Sequence, residues 1–399
     1  MKRLLTAMAI LSLVWGSVQA QDVELREDHP REYVVQEGDT LWDIASRFLA
    51  RPWQWPAIWQ ANEQIPNPHL IFPGDVISLE FIGGEARLMA SRDDSIRRLG
   101  PRIRRDDTGG PISTIPYDAI EPFLQHPRVV SPEELDALPY VIANYDQRTL
   151  AGPGDRTYVR GLEDARVGQE VTIAHLTYQF EDRSQSDDHQ MLRSNRMSSG
   201  HSKVPNYERP SSNLWRNTFG QFERFNFPVI GYELWEAARG RVIQAGDPAI
   251  VEITSGRREV MEGNLILPVD YHVFDATFQP RAMDEVPDHG RVLTVSEAGY
   301  GIGHYQIVAI SLGTSDGVQA GHTFSVFNPG ERIRDEQKYP LMSRAAFRDS
   351  DKRYVNLPDE YAGQVMVFRA FERVSYAIVL DGAREIVSDD RLAHPDRRL

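Results

Sequence analysis

The chain of 399 residues contains no cysteine. Disulfide bonds are therefore excluded, and the fold must be held by ordinary apolar cores. The same absence removes the wall amidases, endopeptidases and L,D-transpeptidases that work through a thiolate. Positive charge is also in deficit, with 44 Lys and Arg against 58 Asp and Glu and a formal charge of −14. A field of that sign does not recruit phosphates, so nucleic acid is not an expected partner. The eleven histidines include no H-x-H and no H-E-x-x-H pair, so no convergent imidazole set for a zinc hydrolase is expected. Past the first twenty residues no apolar run reaches the ~18 residues of a membrane-spanning helix.

What is present begins with an export signal. MKRLLTAMAILSLVWGSVQAQ places Lys2 and Arg3 before an apolar run and ends it at a small-residue cleavage site, Val18-Gln19-Ala20. Residues 1–20 are expected to be removed, leaving a chain that starts near Gln21, carries a charge of about −16 and has no transmembrane segment. No cysteine follows the run to take a lipid anchor.

Residues 32–80 carry the strongest pattern. Tyr33-Val34-Val35 reads as a strand that stops at Gln36-Glu37-Gly38-Asp39. Leu41, Ile44, Ala45, Phe48 and Leu49 then recur at helical spacing, and Thr40 with Asp43 three residues on forms a capping box. Pro52 breaks this helix, Pro56 suits the first turn of a second one running to Asn62, and Val76 to Leu79 closes the sheet. This βααβ unit, with YVVQEGDTLWDIA, WQAN and NPHLIFPGDVI, resembles the LysM family of peptidoglycan- and chitin-binding modules. The resemblance implies a shallow groove for N-acetylglucosamine-containing glycan, with Gly38, Asp39, Thr40 and Leu41 on one side and Ile65, Asn67, Pro68, His69, Leu70 and Ile71 on the other. Loops rich in Gly and Pro suit that ligand, because acetamido sugars need backbone donors and acceptors held in fixed directions. The insertion Arg51-Pro52-Trp53-Gln54-Trp55 departs from the minimal pattern. Its tryptophans are expected to staple the helices in preference to stacking on sugar.

From 81 to 110, Arg92, Arg97, Arg98, Arg102, Arg104 and Arg105 interleave with Asp93, Asp94, Asp106 and Asp107, which reads as a solvated linker. A mixed, mainly β region follows over 111–290, with a capped helix start at Ser131-Pro132-Glu133-Glu134 and strands at Val171–Phe180, Glu233–Ile243 and Ala249–Ser255. Residues 181–218 are polar, Ser-rich and aperiodic, and are expected to form a long mobile insertion. Residues 291–395 alternate strands with glycine turns. The fold class expected is therefore α+β and multidomain: an amino-terminal βααβ module, then a mainly β region ending in a small β-barrel or sandwich.

Two motifs in this last region invite catalytic readings. Gly313-Thr314-Ser315-Asp316-Gly317 fits G-x-S-x-G, but the strand-like VQAGHTFSVF follows where a nucleophile elbow needs a helix, so a hairpin turn is expected. Gly299-Tyr300-Gly301-Ile302-Gly303 lacks the lysine and helix of a phosphate loop. His175, His272, His304 and His322 read as ordinary strand or turn positions. No catalytic residue, metal or cofactor is assigned; a glycosidase is the class hardest to exclude, because a pair of carboxylates leaves no local signature.

The whole layout resembles the LysM proteins associated with type IV pilus secretins, the TsaP-like family, whose carboxy-terminal part is similar to the flagellar protein FlgT. That resemblance implies a non-enzymatic periplasmic protein of a Gram-negative-type cell, gripping peptidoglycan with one end and an outer-membrane secretin ring with the other. A LysM-targeted peptidoglycan hydrolase, or a wall anchor for a flagellar or other envelope complex, is the alternative.

Overall fold

The computed structural model describes residues 23–59, 70–91, 112, 114–125, 127–182, 228–270, 278–295, 304–339 and 354–397. The leader, the Gly299–Gly303 motif, His272, Ile65, Asn67, Pro68, His69 and nearly all of the 181–218 segment lie outside them.

The first unit runs β1 (Glu32–Val34), α1 (Leu41–Phe48), a 3-10 turn (Pro52–Gln54), α2 (Trp55–Ile58), β2 (Val76–Ile82) and β3 (Glu85–Ser91). The capping box at α1 is complete: Thr40 Oγ1 accepts from the Asp43 N–H at 3.2 Å, and Asp43 Oδ2 accepts from the Thr40 N–H at 3.1 Å. Leu41, Ile44, Ala45 and Phe48 turn inward to meet Ile58, Ile71, Ile77 and Leu88. Strand β2 lies between β1 and β3, with Tyr33 opposite Ile77 and Ile77 opposite Ala90. Strand β3 corrects the expected start of the charged linker at residue 81, since the module's sheet continues to Ser91. The reason is local. Gly83 and Gly84 both have positive φ, 65° and 91°, the backbone that a two-residue type I′ hairpin requires and that only glycine adopts readily.

The middle region contains α3 (Tyr117–Gln125), β4 (Pro127–Val130), α4 (Pro132–Ala137), β5 (Tyr140–Asn144), β6 (Arg156–Arg160), β7 (Glu170–Glu181), β8 (Val229–Gln244), β9 (Ala249–Gly256) and β10 (Leu265–Pro268). As the residues suggested, Ser131 Oγ caps α4 by accepting from the Glu134 N–H, with Pro132 at its first position. The strands form one sheet in the order β4-β8-β7-β10-β5-β6-β9. Strand β8 also pairs with β9, so the sheet curls until six strands form a ring. Val159, Ile173, Val242, Val251, Ile253 and Ile266 fill it. Close approach of β8 and β9 needs Gly240, where a Cβ would stand 2.5 Å from Val251 Cγ1.

The last region contains β11 (Val292–Val295), β12 (Ile307–Ile310), β13 (Thr323–Asn328), the hairpin β14 (Arg332–Arg334) and β15 (Tyr354–Asn356), β16 (Glu360–Ala370), β17 (Ser375–Gly382) and β18 (Arg391–Ala393). Its six-stranded sheet has the order β11-β12-β17-β16-β13-β18. The two edges approach each other at an Arg291–Arg391 bridge, where the Val292 N–H donates to Asp390 O and the Leu392 N–H to Gly290 O. Side chains alternate between faces. Val308, Ile310, Val365, Val367, Ala377 and Val379 pack with Phe324 and Val326 on one side. Ile307, Ala309, Met366, Phe368, Tyr376 and Ile378 lie on the other, against Ile120, Phe123 and Leu124 of α3 and against Trp42 and Trp53 of the amino-terminal module.

Polar groups tie the same junction. Glu233 on β8 is fully buried, and its carboxylate accepts from Thr177 Oγ1 at 2.6 Å and from the Tyr376 hydroxyl at 2.7 Å. Burial and the adjacent Glu233 charge push the Tyr376 phenol far above its usual pKa, so it stays a donor. Arg369 donates to the carbonyls of Phe123 and Leu124 at 2.8 Å each, placing a cation at the negative end of α3.

Candidate functional site

Two loops of the amino-terminal module start from neighbouring backbone. The Val35 N–H donates to Asp75 O at 2.9 Å and the Gly74 N–H donates to Val35 O at 2.8 Å. This stitch fixes the base of the 36–40 loop beside the base of the 70–75 loop, so residues far apart in sequence form two walls.

The first wall is built by Asp39. Its Oδ2 accepts from the Gln36 N–H at 2.7 Å and from the Tyr33 hydroxyl at 2.8 Å, closing the turn around Gly38. Burial and the Asp39 carboxylate hold the Tyr33 phenol above its usual pKa. Gly38 has a φ of 90° and is exposed, with open space where a Cβ would stand. Arg47 lies 4.4 Å over the Tyr33 ring and braces the strand behind the turn. In the second wall Asp75 plays the matching part, its Oδ2 accepting from the Phe72 N–H at 2.9 Å, while Gly74 takes a φ of 97°.

The expected groove residues divide by environment. Gly38 and Leu70, the latter 49% exposed, face solvent. Leu41 and Ile71 are 3% and 0% exposed, and both side chains belong to the module's core. The Ile71 carbonyl is also engaged, accepting from the Ile112 N–H at 2.8 Å. A helix face must bury its apolar stripe somewhere, and Leu41 belongs to that stripe on α1, while Ile71 is drawn in from the second loop. Asp39 and Thr40 are turn and cap residues whose side chains shape the wall.

The tryptophan insertion is likewise buried. Trp55 sits in the module core, its ring edge-on to Trp59 at 6.5 Å and 86°. Trp53 turns the other way, into the carboxy-terminal sheet, and its Nε1 donates to Asp396 Oδ1 at 3.2 Å. Neither ring is open to a sugar. Trp55 fits the expected staple, whereas Trp53 joins two regions of the chain.

Two functional-site neighbours were not legible in the sequence. The Tyr305 hydroxyl donates to Asp43 Oδ2 at 2.5 Å, and His304 Nε2 lies 3.9 Å from Asp43 Oδ1. Both residues sit more than 260 positions from the helix residue they touch, and no periodicity or motif links them.

The G-x-S-x-G segment is a turn. Thr314–Asp316 form one 3-10 turn, Gly317 has a φ of 82°, and Ser315 Oγ donates to Glu372 O at 2.7 Å. The strand-to-helix elbow of a hydrolase nucleophile is not formed there.

Residues 33–79 match the LysM domain family. These residues are a LysM domain, a binding rather than a catalytic module, which carries with it an expectation of peptidoglycan or other carbohydrate ligands and an envelope location. The chain is also similar to the uncharacterized protein YqbP of Bacillus subtilis (strain 168), with 37% identity over 60 residues, covering 12% of this chain and 27% of that protein. The match therefore spans about a quarter of that relative's length. Among the described residues no helix is long and apolar enough to cross a membrane.

Proposed function

We propose that this chain is a non-enzymatic, periplasmic peptidoglycan-binding protein that is exported by its leader and ties an envelope assembly, a type IV pilus secretin ring, to the cell wall. The observation that carries the glycan half is the pair of stitched loops in a LysM domain, whose Gly38 and Gly74 backbones are held in fixed directions by Asp39 and Asp75. Glycan contact is assigned to Gly38, Asp39, Thr40 and Leu41 facing Ile65, Asn67, Pro68, His69, Leu70 and Ile71, with Leu41 and Ile71 contributing backbone alone. One shallow groove gives weak binding, and copies arranged round a ring would multiply it through avidity.

The anchoring half is supported by architecture. The wall-binding unit is joined to the β-rich remainder through buried Trp42 and Trp53, so a pull on one end is transmitted to the other. In this reading the carboxy-terminal sheet is the FlgT-like small barrel, consistent with the meeting of its edges at Arg291 and Arg391.

Co-sedimentation with isolated peptidoglycan sacculi tests the reading, with the supernatant assayed for released muropeptides. Wild type is expected to pellet without releasing fragments. Leu70→Asp, which places a charge on an exposed groove position, is expected to lose about tenfold in affinity while folding normally. Released fragments would establish a hydrolase instead, and failure of wild type to pellet would remove the wall from the function. For the partner, pull-down of a secretin by the full chain from solubilised outer membranes is the expected result, and recovery of a flagellar component would redirect the assignment.

A further inference from the structure

One register row of the middle sheet sets polar groups on its outer face. Leu267 of β10 lies opposite Thr172 of β7, Thr172 opposite Arg239 of β8, and Arg239 opposite Ser255 of β9. Neighbours in such a row share a face, and the adjacent Ile173, Ala238 and Ile266 turn the other way into the core of the ring. The row floors a cleft of about 550 Å³ between the two β regions. Its other walls bring Arg128 of β4, Arg369 of β16 and Arg257, just past the end of β9. Four arginines therefore line one cleft against two carboxylates, Glu236 and Asp270, in a chain whose formal charge is −14.

The polar groups differ in how firmly they are held. Arg369 is fixed, donating to the Phe123 and Leu124 carbonyls at 2.8 Å and lying over the Phe371 ring. Burial lowers its pKa and Arg128 acts in the same direction, so a further carboxylate in the cleft would favour its charge. Arg239 pairs with Glu236 at 3.0 Å and Arg128 with Glu134 at 3.8 Å, both partly in solvent. Exposed pairs of this kind hold little energy, and a guanidinium with five N–H donors can take a second carboxylate. Thr172 is different. It is only 7% exposed, it lines the cleft, and its hydroxyl makes no hydrogen bond among the described residues. A buried hydroxyl left in that state is costly, and a ligand that satisfies it removes the cost.

We propose that this cleft is a docking site for an acidic peptide segment of a partner protein, its carboxylates on Arg128, Arg239 and the Thr172 hydroxyl, with Arg369 as a fixed positive charge behind them. Planar guanidinium forks match carboxylates, which makes arginine the residue for this recognition. The volume lies within the ~300–1,000 Å³ of organic-ligand sites and exceeds what a bare oxyanion fills. Exposed Pro268 and the arginine stems add apolar contact that an inorganic ion could not use. The site is independent of the glycan reading, because no residue lining it belongs to the LysM domain.

The test is fluorescence anisotropy of the full chain with a labelled hexapeptide of alternating Glu and Leu, beside the same peptide with Lys in place of Glu. Saturable binding of the acidic peptide alone is expected, weakening as salt is raised. Arg239→Gln should weaken it about tenfold, and Arg128→Gln, which also serves if the first variant is poorly folded, by a similar factor. Thr172→Val keeps the shape without the hydroxyl and should weaken it about threefold. Absence of saturable binding, equal binding of the Lys peptide, or equal affinity in wild type and all three variants would overturn the site. Displacement of the labelled peptide by inorganic phosphate as readily as by unlabelled peptide would overturn the peptide assignment and leave a simple anion site.

Discussion

In the LysM domain α1 turns Leu41, Ile44, Ala45 and Phe48 into the module's own core, sends only Trp42 into the core beyond it and leaves Arg47 exposed, whereas in β12, β16 and β17 of the carboxy-terminal sheet whole rows of residues on both faces are buried. A two-sided sheet needs a second layer, and here α3 and the tryptophans Trp42 and Trp53 supply it. The comparison teaches why the wall-binding unit is packed into the remainder of the chain: the LysM domain contributes side chains to a core it does not own.

Breaking the LysM core should have the largest effect. Phe48 is fully buried, and Phe48→Ala is expected to cost about 3–5 kcal/mol. Because the cavity lies in the LysM core, sacculus binding should fail before the β-rich regions melt, as followed by far-ultraviolet circular dichroism beside co-sedimentation. A single transition with both signals lost together would mean that the two cores unfold as one.

A smaller effect is expected at the junction of the two β regions. Tyr376→Phe keeps the ring and removes one donor from the buried Glu233 carboxylate, at a cost of about 1–3 kcal/mol. Urea unfolding at fixed pH checks it, and glycan affinity should not change, because Tyr376 lies outside the LysM domain.

The smallest effect is a pH slope in the β regions. His175 is buried, with its Nδ1 2.9 Å from the Asn264 side-chain nitrogen, and desolvation together with Arg258 lowers its pKa below 6.5. His322 is lowered mainly by burial, with Arg281 adding to it. Since the folded state favours the neutral rings, the unfolded chain takes up protons first, and stability falls as pH drops below about 6.5 towards the depressed folded values. Stability is expected to fall between pH 7.5 and 5.5, and His175→Asn should flatten the slope.

Much of the LysM domain was legible because its signals are local. Thr40 and Asp43 lie three residues apart and cap each other, and the apolar spacing of α1 matches its buried face. Strand β3 is also marked locally, since Gly83-Gly84 is a hairpin turn, but the arginine and aspartate runs beyond it carry the pattern of a linker. The buried fate of Ile71 was less accessible, because a wall residue and a core residue in a loop share the same sequence pattern until the packing is known. Trp53 illustrates the same limit: its aromatic character was plain, yet its partner is Asp396.

By itself, then, the sequence determined the LysM domain, its caps and turns, the β-rich character of the remainder and the absence of thiol chemistry. Each depends on backbone geometry and hydrogen bonds among residues a few positions apart, or on composition. Tertiary structure alone decided that β8 closes its sheet against β9, that Glu233 is held by Tyr376, and that Tyr305 reaches Asp43 across the chain. Those contacts arise when separate apolar faces bury one another, and the positions they bring together are set by packing, which no local pattern encodes.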